Sequence, residues 1–384
     1  MRVPPPIANA LLVIASALIC YVAMEYAIFR VALPIMPLDI WPQLPSIADV
    51  LTQNSKAAYL PHDYVALLGD SNAEGLGDWL LETKGDRTKP FHSANVIHNM
   101  TGRNVVTFGK GGAGSAEGIV LRPAQVFPSS PCSVFPAIDP PRQMFVYFYE
   151  GNDVEDNLSF LGKVKDRYGR ADAEAIDRFL AEKYAGGSPW DCHLELADTT
   201  IRMAQFLFQY YVAGAAVVYC GAATPHANRI VVDDGTIEVP TLQGAALGIS
   251  EENIRRSMNT LAHSLSWLRK RFSGVPISVI YVPSPLAVYR HAGDSVSHCI
   301  TIPNANVFAP TAELEWHHDL MRNLVAKISA DQGMDFADAT PALRAAASTH
   351  VIHGPRDWDH LNESGYRVLG ALVSSRVQTV APAK

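Results

Sequence analysis

No Cys-x-x-Cys pair occurs among the five cysteines, Cys20, Cys132, Cys192, Cys220 and Cys299. A zinc ribbon or a dithiol redox motif is therefore not expected. No basic run occurs either: Lys+Arg 31 against Asp+Glu 38 leaves a net charge of −7, which argues against nucleic acid as a partner. Internal repeats are absent, and the 26 glycines and 26 prolines form no low-complexity tract. Charged residues are scarce, at 18%, where soluble domains carry about 25%. Part of that deficit sits in one place, since no charge lies between Arg2 and Glu25. What is plentiful is apolar side chain, 48% of 384 residues. That suffices for a large core and excludes wholesale disorder. The length allows about two or three domains, or one α/β domain with insertions.

The charge-free stretch predicts a membrane segment. Ile7 to Met24 carries only Asn9 and Ser16 as clearly polar side chains, and Tyr26, Ala27, Ile28 and Phe29 prolong it past Glu25. A span needs about 20 apolar residues. The expectation is one N-terminal anchor within residues 1–32. A cleaved secretory signal is the alternative, because Ala15-Ser16-Ala17 has the small-x-small form, though inside the apolar run. A buried core helix is the third reading. The first two send the rest of the chain out of the cytoplasm, as a single-pass protein in the anchored case. Arg2 before the span and Arg30 after it say little about orientation. Leu33 to Pro45 holds Pro34, Pro37, Pro42 and Pro45, and residues 33–60 read as a linker. Cys132 and Cys192 could pair in an oxidising compartment; isolated thiols are the plainer reading.

Beyond the linker, short apolar runs alternate with helical periodicity. Buried strands are expected at Tyr64 to Leu68, Asn104 to Phe108, Met144 to Tyr149 and Ile277 to Val282, with a weak fifth at Met334 to Ala337. Helices are expected at about Trp79 to Lys84, Ala173 to Tyr184, Leu196 to Val212, Glu251 to Phe272, Thr311 to Ala330 and Glu363 to Val377. Ala215 to Tyr219 reads as a further strand or a helix end. Strands separated by helices predict a parallel sheet of about five strands covered on both faces. The long stretch between the third and fourth strands predicts a helical insertion over about 158–248, with a loop around Pro225 to Gly244.

In such sheets ligands bind at the carboxyl ends of the strands, so the polar residues there are the candidates. Gly69-Asp70-Ser71 follows the first strand. A serine between strand and helix has its hydroxyl at that edge, although such serines are usually N-caps. Gly109-Lys110-Gly111-Gly112 follows the second strand; it resembles a phosphate loop, but GxxxxGK[ST] is absent. Glu150-Gly151-Asn152-Asp153 follows the third. An amide there can donate to an oxyanion without bringing charge. Near the C-terminus stands Asp357-Trp358-Asp359-His360, where a carboxylate three residues before a histidine can reach its ring within one turn. Asp359, the immediate neighbour, is expected to be solvated or a cap ahead of the helix at Glu363. His353 is a second candidate base, without an Asp three residues upstream. Gly293-Asp294-Ser295 repeats the tripeptide with no apolar strand directly before it. The histidines at 62, 92, 98, 226, 317 and 318 have no ligand spacing, so neither a metal nor another cofactor is expected.

Together, in this order, the four blocks resemble the SGNH (GDSL) hydrolase superfamily, named for its Ser, Gly, Asn and His blocks. Ser71 matches the first block, Gly112 the second, Asn152-Asp153 the third, and Asp357 with His360 the last. The resemblance covers roughly residues 63–157 and 275–378. It implies a flavodoxin-like three-layer α/β sandwich over residues 61–384. It also implies a triad of Ser71, Asp357 and His360, with an oxyanion hole from Ser71, Gly112 and Asn152. The sequence departs twice: Glu150 stands where the third block has its glycine, and Thr107 where the second block has asparagine. The implied activity is ester hydrolysis through a serine ester. Combined with the anchor, it points to removal or transfer of acyl groups on a cell-surface carbohydrate. A lipase or thioesterase, and a non-catalytic accessory protein of polysaccharide export, are the alternatives. The sequence names no protein partner.

Overall fold

The computed structural model describes residues 5–27, 50, 53–57, 62–79, 92–127, 138–183, 201, 204, 227–300 and 305–378. The expected helices over 79–84 and 196–212, the expected strand at 215–219, and Cys132, Cys192 and Cys220 lie wholly or almost wholly outside them.

Ten strands are present among the described residues: β1 (Tyr64–Leu68), β2 (Asn104–Thr107), β3 (Gln143–Tyr149), β4 (Asn228–Val232), β5 (Gly235–Val239), β6 (Ile277–Val282), β7 (Arg290–His291), β8 (Ser295–Ile300), β9 (Ala305–Pro310) and β10 (Asp335–Asp338). Five form one parallel sheet in the order β10-β6-β3-β1-β2. β1, β3 and β6 are buried along their whole length. That is why their sequences are continuous apolar runs rather than alternating ones. With the five strands counted in chain order, the pattern is the flavodoxin-like 2-1-3-4-5, whose switch point lies between β1 and β3. Ser71 follows β1 and Asn152 follows β3, so the two candidates flank that crevice.

The helices of the described residues are α1 (Pro5–Tyr26), α2 (Ser71–Glu74), α3 (Ser93–Thr101), α4 (Arg122–Val126), α5 (Asp153–Tyr168), α6 (Ala173–Lys183), α7 (Glu251–Arg271), α8 (Pro285–Val288), α9 (Thr311–Asp331), α10 (Thr340–Ala347) and α11 (Glu363–Ser374). A π-turn at Glu117–Leu121 precedes α4. α3 packs on α11, while α5, α7 and α9 pack as a second group. The sheet lies between, giving three layers around a core that includes Leu67, Phe145, Val146 and Tyr281. α6 packs on α5 through a satellite cluster of Phe160, Ile176 and Phe179.

Within the region expected as a loop around Pro225 to Gly244, Asn228–Val232 and Gly235–Val239 form the hairpin β4–β5. Its two turn residues, Asp233 and Asp234, have φ of 47° and 59°. Positive φ at both central positions is the signature of the turn that matches strand twist. β8 and β9 form a second antiparallel hairpin ahead of α9.

The segment Pro6–Met24 of α1 has a mean hydropathy of 2.3 and is buried nowhere in the protein. The core-helix reading is thereby removed, and α1 is long and apolar enough to cross a membrane. At the far end of the stretch read as a linker, Gln53 pairs its amide with the Thr107 backbone, donating to Thr107 O at 2.8 Å and accepting Thr107 N–H at 2.8 Å. Ser55 Oγ donates to Val105 O, and Ser55 O accepts Val105 N–H. These residues therefore cover the edge of β2.

Candidate active site

Ser71 is the first residue of α2, and both it and Asp70 are buried. Asp70 caps this short helix by accepting Asn72 N–H at 3.0 Å. Gly69 makes the tight exit from β1 possible. It has φ +138°, and a Cβ there would lie 2.6 Å from Tyr147 O on the neighbouring strand. In the resting arrangement Ser71 Oγ donates to Asp70 Oδ2 at 3.3 Å. Burial raises the Asp70 carboxyl above its ordinary range, while the charge of His360 draws it back. The loop after Ser71 runs beside His360, since a Cβ at Gly77 would lie 3.6 Å from His360 Cβ.

His360 Nδ1 donates to Asp357 Oδ2 at 2.7 Å, and the carboxylate side chain has no solvent exposure. Asp357 Oδ1 also accepts the backbone N–H of Asp359 and of His360, at 3.1 and 3.2 Å. This turn is what the three-residue spacing requires. Burial disfavours a charged His360, yet the charge and hydrogen bond of Asp357, with Asp359 and Asp70, raise it to about 9. For Asp357, burial acts upward but is outweighed by His360 and the backbone donors, so its pKa is lowered. Asp359 differs from expectation: it is 6% exposed rather than solvated. Nor is it the cap of α11, because Asn362 accepts Ser364 and Gly365 N–H in that role.

Three ties hold the Ser71 loop against the His360 loop. Asp78 accepts Arg356 N–H and Asp357 N–H at 2.8 and 2.7 Å, one with each carboxylate oxygen. Tyr366 OH donates to Leu76 O at 2.6 Å. Gly77, at φ +146°, lies so close to Leu361 O that a Cβ would come within 2.5 Å of it.

Gly112 is exposed, with φ +68° and open space where a Cβ would be. Among the described residues its N–H makes no hydrogen bond. The glycine before it, Gly111, donates instead to Glu74 Oε2 on the Ser71 helix. A Cβ at Gly111 would stand 4.0 Å from Ser71 Cβ, which puts this loop beside the serine. Asn152 occupies the N-cap position of α5, but its side chain accepts no helix N–H. Its Oδ1 is buried without a partner. Asp153 has turned back to accept Tyr149 N–H at 2.9 Å, so the carboxamide of Asn152 is free of capping duty. Burial, then the charge of Asp70, raise Asp153 well above the carboxylate range. The structure thus brings Ser71, His360, Asp357, Gly112 and Asn152 to the carboxyl edge of β1, β2 and β3.

The other candidates fall elsewhere. Ser295 opens a hairpin strand, not a helix. His353 is buried with Nδ1 against Tyr289 OH at 3.1 Å, and burial lowers it to about 3, a neutral core histidine. His317 bonds Ala245 O, and His318 bonds Glu150. No group of three or more metal-ligating side chains occurs among the described residues. Sequence reasoning missed Asp78, Glu74 and the role of Gln53. Asp78 and its partners Arg356 and Asp357 are 278 and 279 residues apart, and no local pattern marks such a pairing.

No family model matches the chain, and no curated protein matches it. Among solved structures, the chain is similar to an extracellular lipase of Streptomyces rimosus, at 16% identity over 83% of this chain and 100% of that one, with a TM-score of 0.38. It is similar to phospholipase A1 of Streptomyces albidoflavus NA297, at 14% identity over 82% and 97%, with a TM-score of 0.37. It is also similar to the aryl esterase of M. smegmatis, at 11% identity over 83% and 100%, with a TM-score of 0.30. At these identities and scores the likenesses add nothing to the geometry of the site.

Proposed function

We propose that the chain is an SGNH-type serine ester hydrolase. The observation that carries this reading is the 2.7 Å hydrogen bond from His360 to the buried Asp357 carboxylate, on a loop that Asp78 ties to the loop of Ser71. In this reading the Ser71 hydroxyl leaves Asp70, gives its proton to His360 Nε2, and attacks an ester carbonyl. Asp357 fixes the tautomer and stabilises the imidazolium. The N–H groups of Ser71 and Gly112 and the Asn152 amide receive the oxyanion, each worth about 3 kcal/mol. His360 then returns the proton to the departing alkoxide. Water, activated by the same imidazole, releases the acyl group; a sugar hydroxyl in its place makes the enzyme a transferase.

The finer reading is extracytoplasmic action on acyl groups, O-acetyl above all, of a cell-surface carbohydrate. It rests on the apolar helix α1 and on the motif resemblance, which is fold-level analogy. Turnover of 4-nitrophenyl acetate against longer acyl esters tests it, with Ser71→Ala as control. The expected result is preference for acetate and no turnover by the Ser71→Ala protein with its fold intact. A preference for long chains would select the lipase reading instead. Turnover unchanged in Ser71→Ala would remove the hydrolase assignment to this site.

A further inference from the structure

The departure in the third motif has a structural counterpart. Glu150, in the place of a glycine, has a fully buried carboxylate on the strand end that leads to Asn152. Its Oε2 accepts Ser284 N–H at 2.7 Å, from the turn after β6. Its Oε1 accepts His318 Nδ1–H at 2.9 Å, from α9, and neither side chain of this pair has any exposure. Its own N–H donates to Val282 O at 2.9 Å, adding one step to the β3–β6 ladder. Burial disfavours a charged His318, but the charge and hydrogen bond of Glu150 outweigh it and raise the imidazole. One carboxylate therefore joins the end of β3, the turn after β6 and helix α9.

Two residues further on stands Asn152, whose side chain makes no hydrogen bond among the described residues. Its direction is set by the backbone, held behind by Glu150 and ahead by Asp153. An amide that must meet a developing oxyanion tolerates little slack, since a misplacement of about 1 Å can cost about a hundredfold.

We propose that Glu150 and His318 form a positioning pair for the Asn152 amide, clamping the end of β3 against the turn after β6 and against α9. This rests on the reading of Asn152 as an oxyanion donor. The test uses the full-length protein in detergent, with 4-nitrophenyl acetate as substrate. His318→Gln is expected to lower kcat about ten- to a hundredfold with KM changed less than about twofold, the pattern of a transition-state interaction. Glu150→Gln, close in shape, is the second variant should His318→Gln not fold, and it is expected to show the same split. The double variant Glu150→Gln/His318→Gln, a neutral hydrogen-bonding pair, should recover most of the lost kcat. In an Asn152→Ala background, His318→Gln should cost less than about twofold more, because the residue it positions is gone. An undiminished loss in that background, or a lowered melting temperature with unchanged kcat, overturns the proposal. Wild-type protein that turns over no ester overturns the hydrolase reading itself, whereas active wild type with unaffected variants overturns only the role of the pair.

Discussion

His360 and its carboxylates set what the site can do at a given pH. With its pKa raised to about 9, the imidazole is largely protonated at pH 7 and cannot take the Ser71 proton. The kcat/KM profile should therefore rise from pH 7 towards pH 9. Stability should move the other way. A histidine raised in the folded state stabilises fully below its unfolded value near 6.5, and that contribution is lost as pH rises through about 9. Asp156, raised to about 7 by burial and by Asp70, also loses stability with rising pH, but its window closes near pH 7. A melting temperature that falls between pH 7.5 and 9.5 in the wild type, and falls less in Asp357→Asn, checks the sign. The same variant separates the two carboxylates. Asp357→Asn should lower kcat at least about a hundredfold by disturbing tautomer and imidazolium. Asp359→Asn, which removes a charge but not the ring hydrogen bond, should cost less than about tenfold, as expected for a charge that only raises the imidazole. Kinetics of both on one activated ester decide it; a larger loss at Asp359 means that Asp357 is not the triad acid.

At the scale of elements, two loops nearly three hundred residues apart in sequence must be held in register. Asp78 does this with two hydrogen bonds to backbone N–H groups of Arg356 and Asp357. Asp78→Ala leaves the buried Asp357 N–H and the part-buried Arg356 N–H without their acceptor, and should cost about 1–3 kcal/mol of stability together with a fall in kcat. Denaturant unfolding and steady-state kinetics measure the two; normal turnover in a destabilised protein would make Asp78 structural only. The strands were legible because burial on both faces writes an unbroken apolar run, as in Tyr64 to Leu68. Asp357 and His360 were legible because their contact is local, three residues along one turn. The ties of Asp78, Glu74 and Gln53 were not, because their partners are remote in sequence. The hairpin β4–β5 differs from the expected loop, although Asp233-Asp234-Gly235 is a turn signal between β-branched runs. The burial of Asp359 is not legible, because nothing local in the sequence distinguishes a buried carboxylate from a solvated one.

For the whole molecule, strand order puts Ser71 and Asn152 on either side of the sheet's switch point, where open α/β sheets take their ligands. The chain ahead of β1 runs along β2 from Thr107 to Asn104 through Gln53, Ser55 and Ala57. In the proposed topology α1 tethers the hydrolase outside the cytoplasm. A C-terminal alkaline phosphatase fusion in a bacterial host should then be active; an inactive one beside an active cytoplasmic reporter would reverse the orientation. The central claim is that Ser71 is a nucleophile activated by His360. A fluorophosphonate probe with peptide mapping by mass spectrometry tests it most directly. The expected result is one adduct, on Ser71, abolished in His360→Ala. A label on Ser295, or none on protein that hydrolyses esters, would contradict it.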